Sequence, residues 1–202
     1  MEDLELVVLF ADADAQRFVT KLIERGIERR CLRPMKWRQI RDPMHDPRVA
    51  RDPTAALTLF LRHPTCRFVV VLDHHGSGGE SRSRESLESD VADVLARAGV
   101  AKERTAVIAF EPELESALVP VWDSVLEILA RKRGVPPAAI LLDEGDPKGS
   151  WERALRVYQL KSGSALFAEL ATSLSLPRLK HGSALGRLAA CLLRWFGAEG
   201  EA

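Results

Sequence analysis

Charge of one sign is what this chain most plainly lacks. Its 29 Lys and Arg are matched by 29 Asp and Glu, so it has no net basic field of the kind that drives nonspecific binding to nucleic acid. Any contact with a polyanion must therefore come from charge gathered on one face. Cysteine is scarce too. Cys31, Cys66 and Cys191 are odd in number, scattered and never in CxxC spacing, which argues against a disulfide framework or a cysteine zinc site. They are expected to be small core residues. No repeat or low-complexity tract divides the sequence, and no apolar run is long enough for a membrane span. The opening MEDLELVVLF is acidic where a secretory signal would be basic, so a cytoplasmic location is expected.

What is present is the balance of a globular protein: 46% apolar and 29% charged residues over 202 positions, enough for one sizeable domain. Residues 5–10, 67–72 and 105–110 are short apolar, β-branched runs of the kind a strand covered on both faces requires. A further strand is expected over 32–40, confined by Pro34 to a sheet edge or to the strand's first residues. Between them, 14–25 places Phe18, Val19, Leu22 and Ile23 on one helical face, with Gly26 as its stop. The segment 41–53, with three Asp-Pro pairs, reads as an extended loop. Helices are expected at about 54–63, capped by Thr54 or Asp52, and at 84–99, with Gly99 as C-cap. Strands alternating with helices imply a parallel sheet. After residue 116 the pattern turns helical: 121–134, a short turn and loop over 136–150, then 151–160, 164–174 and 184–196. The expected organisation is an α/β core over 1–116 with a helical region, 117–202, packed on it through Leu185, Leu188, Leu192, Trp195 and Phe196.

The chemistry gathers where apolar runs stop. Asp12 and Asp14 follow the first run, Asp73 ends the second, and Glu111, Glu113 and Glu115 follow the third. Ligands of parallel α/β sheets bind outside the carboxyl ends of the strands, so these acids are candidates for one shared site. Carboxylates meeting at one edge raise each other's pKa unless a cation is present. A divalent metal, Mg²⁺ or Mn²⁺, is the expected cofactor, with Asp12, Asp73, Glu111 and Glu113 as ligands. Each acid taken alone is more simply a helix cap; their convergence is the argument for function. The loop after Asp73 carries Gly76, Gly78 and Gly79, whose amides can approach a phosphate closely. His74 and His75 are candidate ligand and acid/base, although a solvated loop explains one of them. His45 reaches the same edge only if 41–53 folds over it. Lys148, ahead of a helix capped by Ser150, is a candidate phosphate contact.

The pieces in order are Ala11-Asp12, Asp46-Pro47, Leu72-Asp73 with Gly76 and Gly78, Pro112-Glu113-Leu114-Glu115, Pro147-Lys148 with Glu152-Arg153-Ala154-Leu155, Ser164-Ala165-Leu166, and Arg194-Trp195-Phe196. That succession resembles a family of uncharacterised bacterial proteins similar to a component of methylation-associated phage-defence systems. The resemblance implies a TOPRIM-like, Rossmannoid fold with helices on both faces of the sheet. TOPRIM domains bind Mg²⁺ through a Glu after the first strand and a D-x-D after a later one, for cleaving or joining nucleic-acid backbones. Here Asp12 stands near the Glu position, and the D-x-D reads Asp73-His74-His75, with imidazole in place of the second acid. Three functions follow as expectations. One is a non-autonomous antiviral-defence subunit acting on nucleic acid or a partner protein. The second is a metal-dependent nuclease or phosphotransfer enzyme with Asp73, Glu113, His75 and Lys148 as catalytic residues and Gly76, Gly78 and Lys148 on phosphate. The third is an assembly factor without metal. The neutral charge balance favours the first and third over an autonomous nuclease. Other defence-system proteins are the expected partners, no membrane is involved, and no oligomeric state is implied.

Overall fold

A computed structural model describes residues 4–179 and 182–198. Four strands form one all-parallel sheet: β1 (Leu6–Phe10), β2 (Trp37–Arg41), β3 (Arg67–Asp73) and β4 (Thr105–Phe110), in the order β2-β1-β3-β4. Successive side chains of a strand face opposite ways, and here both faces are covered. Leu6, Val8 and Phe10 of β1 join Val69, Val71 and Ile108 in one apolar cluster, while Val7 and Leu9 join Phe68, Val70 and Leu72 in the other. This is why the runs of β1, β3 and β4 carry no alternating polar residues. β2, at the edge, is only partly buried.

The first cluster is closed by α1 (Ala13–Glu28), α5 (Trp122–Arg133), α6 (Pro147–Tyr158), α7 (Ser164–Ser173) and α8 (Ala184–Phe196), the second by α2 (His45–Arg51), α3 (Thr54–Leu57) and α4 (Arg84–Arg97). From β1 the chain steps one way to β2, and from β3 it steps the other way to β4. Right-handed connections in opposite directions put their helices on opposite faces, and α1 and α4 do lie in different clusters. Leu185, Leu188, Leu192 and Phe196 are buried with residues of β1, β3 and β4, as their helical spacing predicts, while Trp195 is only partly buried. Among the described residues no helix is long and apolar enough to cross a membrane.

On the outer edge of β4, the backbone groups of Ala109 are covered by side chains. The Glu88 carboxylate of α4 accepts the Ala109 amide at 2.8 Å, and Arg187 of α8 donates to the same carboxylate at 2.8 Å and to the Ala109 carbonyl at 3.3 Å. An edge left open would offer these backbone groups to another strand.

Several sequence expectations are corrected. Gly26 does not stop α1, which runs to Glu28; a Cβ at 26 would lie 2.5 Å from Leu176 Cδ1 and 2.9 Å from Leu32 Cδ1. Glycine is there to let other chain segments approach. The 41–53 segment is not wholly extended, because Pro47 falls in the first turn of α2, where a missing amide hydrogen is tolerated. The helix expected over 54–63 is only Thr54–Leu57, preceded by Asp52 accepting the Thr54 amide at 3.1 Å. The second strand starts at Trp37 rather than 32, a 3-10 helix, Leu114–Val121, precedes α5, and no helical turn forms over 136–146. α6 begins at Pro147, capped by Asp146, which accepts the Gly149 amide at 2.9 Å. Ser150 is therefore inside the helix and Lys148 on its first turn. Of the cysteines only Cys66 is buried.

Phe167 of α7 joins the helical region to α1 through an edge contact with Phe18 (ring centroids 6.3 Å apart) and packs on Trp151 at 5.4 Å. Phe167→Ala removes a fully buried ring and should cost about 3–5 kcal/mol. Urea denaturation should show the midpoint falling with an unchanged slope; a loss under about 1 kcal/mol would mean that this contact does not hold α7 to the sheet layer.

Candidate functional site

The strand order reverses between β1 and β3, whose carboxyl ends are hydrogen-bonded neighbours, Phe10 pairing with Val71. Open α/β sheets bind ligands at such a switch point. Asp12 leaves β1 there and Asp73 ends β3. Asp12 is the N-cap of α1: its Oδ1 accepts the amides of Asp14 at 2.7 Å and Ala15 at 2.9 Å. The capping role is therefore real, but it uses one oxygen. Asp12 Oδ2 and Asp73 Oδ1 are both buried without a hydrogen-bond partner.

Asp46 comes to the same place from a distant part of the sequence. Its Oδ1 accepts the Asp73 amide at 2.8 Å, which draws the segment after β2 across the strand ends. His45, in a left-handed conformation (φ 58°), turns the chain into α2. It stands directly before Asp46, whose carboxylate accepts the Asp73 amide at the strand end. Asp14 belongs to the cluster's rim, accepting the Ser164 hydroxyl of α7 at 2.7 Å.

Desolvation and mutual repulsion act in one direction at Asp73. Burial raises its pKa most, and the charges of Asp12, Asp46, Glu115 and Glu113 raise it further, to about 9. Asp12 is raised by burial against the opposing pull of its two capping amides. Asp46 and Glu115 are raised, again chiefly by burial.

The loops after β3 and β4 sort the remaining candidates. The His74 and His75 amides donate at 2.8 Å to the Phe110 and Pro112 carbonyls, which ties the loops together. Glu113 is held by Lys148 Nζ at 2.8–3.0 Å and by His75 Nδ1 at 3.3 Å. Its hydrogen bond to Glu113 raises the Lys148 pKa. Glu111 is exposed and turned to Arg84 at 3.4 Å and to His74 at 3.9 Å. It is thus engaged apart from the Asp12, Asp46 and Asp73 group, to which its place after a strand would assign it. Gly76 and Gly78 have the expected positive φ, 87° and 77°. Their amides, however, donate at 2.6 and 3.2 Å to the Glu80 carboxylate, so this nest already holds an anion of its own. Two members of the site, Asp46 and Glu115, are absent from the ligand set expected from sequence. Asp46-Pro47 is visible there only as a fragment within a loop, and nothing local to it points to Asp73.

The donor set near the switch point is carboxylate oxygen, which suits Mg²⁺ or Mn²⁺, and two of its oxygens are buried and unpartnered. As they stand, among the described residues no three His, Cys, Asp or Glu side chains form a group that could hold an ion. Asp12, Asp46 and Asp73 would have to turn toward one another to bind it. On donor chemistry and on the two free oxygens, the residues fit such an ion.

A carboxyl whose folded pKa lies above its unfolded value favours the protonated native state, so its contribution is complete below about pH 4 and is lost as pH rises toward 9. In EDTA, the thermal unfolding midpoint should fall between pH 5 and 9. Asp73→Asn should flatten that fall and raise the midpoint at pH 8; a variant less stable than wild type at pH 8 would contradict the assignment.

No protein-family model, curated protein or solved structure matches this chain, so its chemistry has to be argued from the carboxylate group at the β1/β3 switch point.

Proposed function

We propose that the chain is a TOPRIM-like subunit of a bacterial antiviral-defence assembly, with a carboxylate site at the β1/β3 switch point that takes a divalent cation, Mg²⁺ or Mn²⁺, and acts on the phosphate backbone of nucleic acid. The defence setting rests on the sequence resemblance alone. The observation that carries the site is the pair of buried, unpartnered oxygens, Asp12 Oδ2 and Asp73 Oδ1, at the carboxyl ends of adjacent parallel strands. The reading is supported by both acids standing where these neighbouring strands end.

Asp12 and Asp73 would hold the ion, with Asp46 able to join by giving up the Asp73 amide. A bound divalent cation polarises a phosphoryl oxygen and makes its coordinated water more acidic. Asp12 keeps its geometry through its capping oxygen, and Glu115 adds negative charge from the β4 side. Glu113 is neutralised by Lys148 and lies 3.3 Å from His75 Nδ1, so an acid beside the second D-x-D position is already paired. This, with the neutral net charge, favours a subunit that binds phosphate through a metal over an autonomous nuclease.

Calorimetry with Mg²⁺ and Mn²⁺ tests the reading. Wild type should take up one ion at micromolar to millimolar concentration, and Asp73→Ala and Asp12→Asn should each bind at least about tenfold more weakly, the equivalent of about 1.4 kcal/mol. A wild-type chain that takes up neither metal at millimolar concentration sinks the proposal. In a companion assay with Mn²⁺ on single- and double-stranded DNA, the isolated subunit should leave the substrate uncut. Cleavage that is lost in Asp73→Ala would establish the nuclease instead.

A further inference from the structure

A cleft of about 740 Å³ opens beside the acidic edge, lined by Ala13, Gln16 and Arg17 of α1, Arg41 at the end of β2, and Ser164, Ala165 and Ala168 of α7. It shares a wall with the acidic group: Ala13 lies between Asp12 and Asp14, and Ser164 is the residue that holds the Asp14 carboxylate. Arg41 pairs with Phe10 in the β1–β2 register, so it stands at the same end of the sheet as Asp12 and Asp73.

The charges in this cleft are uncommitted. Arg17 and Arg41 are exposed, and among the described residues neither has a carboxylate partner. Three arginines between them in the chain are spent otherwise. Arg25 pairs with Glu28 at 2.6 Å, Arg33 with Glu5 at 2.5 Å, and Arg29 donates to the Leu174 carbonyl at 3.3 Å. The cleft walls include no Asp or Glu and no aromatic ring. Arginine forks match phosphate oxygens, whereas reading single-stranded bases needs aromatic platforms.

We propose, building on the metal-site reading above, that this cleft seats a phosphodiester of a nucleic-acid backbone, with Arg17 and Arg41 as its phosphate contacts, and so carries the strand past the acidic edge without regard to base sequence. Phosphate contacts of this kind position a strand and carry no sequence information. The floor of Ala13, Ala165 and Ala168 leaves room for the backbone, and Gln16 and Ser164 add polar groups along it. With a neutral chain, affinity rests on these two local contacts.

Fluorescence anisotropy with a labelled 12-nucleotide DNA strand from 0.1 M salt upward, in EDTA, tests the cleft independently of the metal. Wild type should bind strands of different sequence equally well. Arg17→Gln combined with Arg41→Gln should weaken binding at least tenfold and make the slope of log affinity against log salt shallower by about 1.4, about 0.7 for each lost phosphate contact. Arg156→Gln combined with Arg62→Gln removes the same charge from exposed positions elsewhere and should leave binding within about twofold, since removing remote charge in 0.1 M salt is screened beyond roughly 10 Å. Circular dichroism should show both pairs folded, because among the described residues none of the four side chains has a carboxylate partner. Equal weakening by both pairs, no wild-type binding, or inorganic phosphate displacing the strand at its own strand-like affinity would each overturn the proposal. If the arginine pair loses the strand while wild type takes up no Mg²⁺ in calorimetry, the cleft stands and the metal reading falls. Metal uptake with no arginine effect on strand binding leaves the metal site standing and overturns the cleft.

Discussion

Burial of the sheet on both faces constrains everything else in this molecule. A parallel strand packed between two helical layers has no side on which a polar residue meets water, so β1, β3 and β4 are apolar along their length and polar chemistry is pushed to their ends. The order β2-β1-β3-β4 then decides which ends meet. Because the chain turns one way from β1 and the other way from β3, no connecting helix bridges the carboxyl ends of these two strands, and the acids that leave them are neighbours. The same constraint explains the pairing at the far edge. β4 lacks a neighbour strand on its outer side, and Glu88 and Arg187, from helices on opposite faces, supply the missing partner groups.

At the switch point the structural and functional roles of an acid are compatible. Asp12 caps a helix with one oxygen and leaves the other buried and unpartnered. Asp46 satisfies the Asp73 amide and at the same time places its charge beside the Asp73 carboxyl. Capping alone would be served by Asp12 or by a neutral Asn or Ser. It does not call for a second and third carboxylate drawn into the same desolvated space, where Asp12 raises the pKa of Asp46 and both raise that of Asp73. The compensating cations stand outside this space: Lys148 on Glu113, Arg84 on Glu111, Arg48 at 3.6 Å from Asp42. The periphery is thus internally neutralised, while among the described residues no Lys or Arg pairs with Asp12, Asp46 or Asp73.

Elements whose signal is local are legible in the chain alone. Three strands, the faces of α1, α4 and α8, and the acids at strand ends can be read there because period and apolar run length depend on near neighbours. Whatever depends on a distant partner is settled by packing instead. Gly26 reads as a helix stop until Leu176 and Leu32 are seen pressing against it. Asp46 reads as a turn residue until Asp73, 27 positions later, donates to it. Glu111 and Glu113, two residues apart, look equivalent in the chain, yet one turns to Arg84 and His74 and the other to Lys148 and His75. Gly76 and Gly78 have the backbone the sequence implies, but Glu80 occupies their amides. Which carboxylates are desolvated together is a property of strand order and loop path, and these are set by long-range packing that no local pattern records.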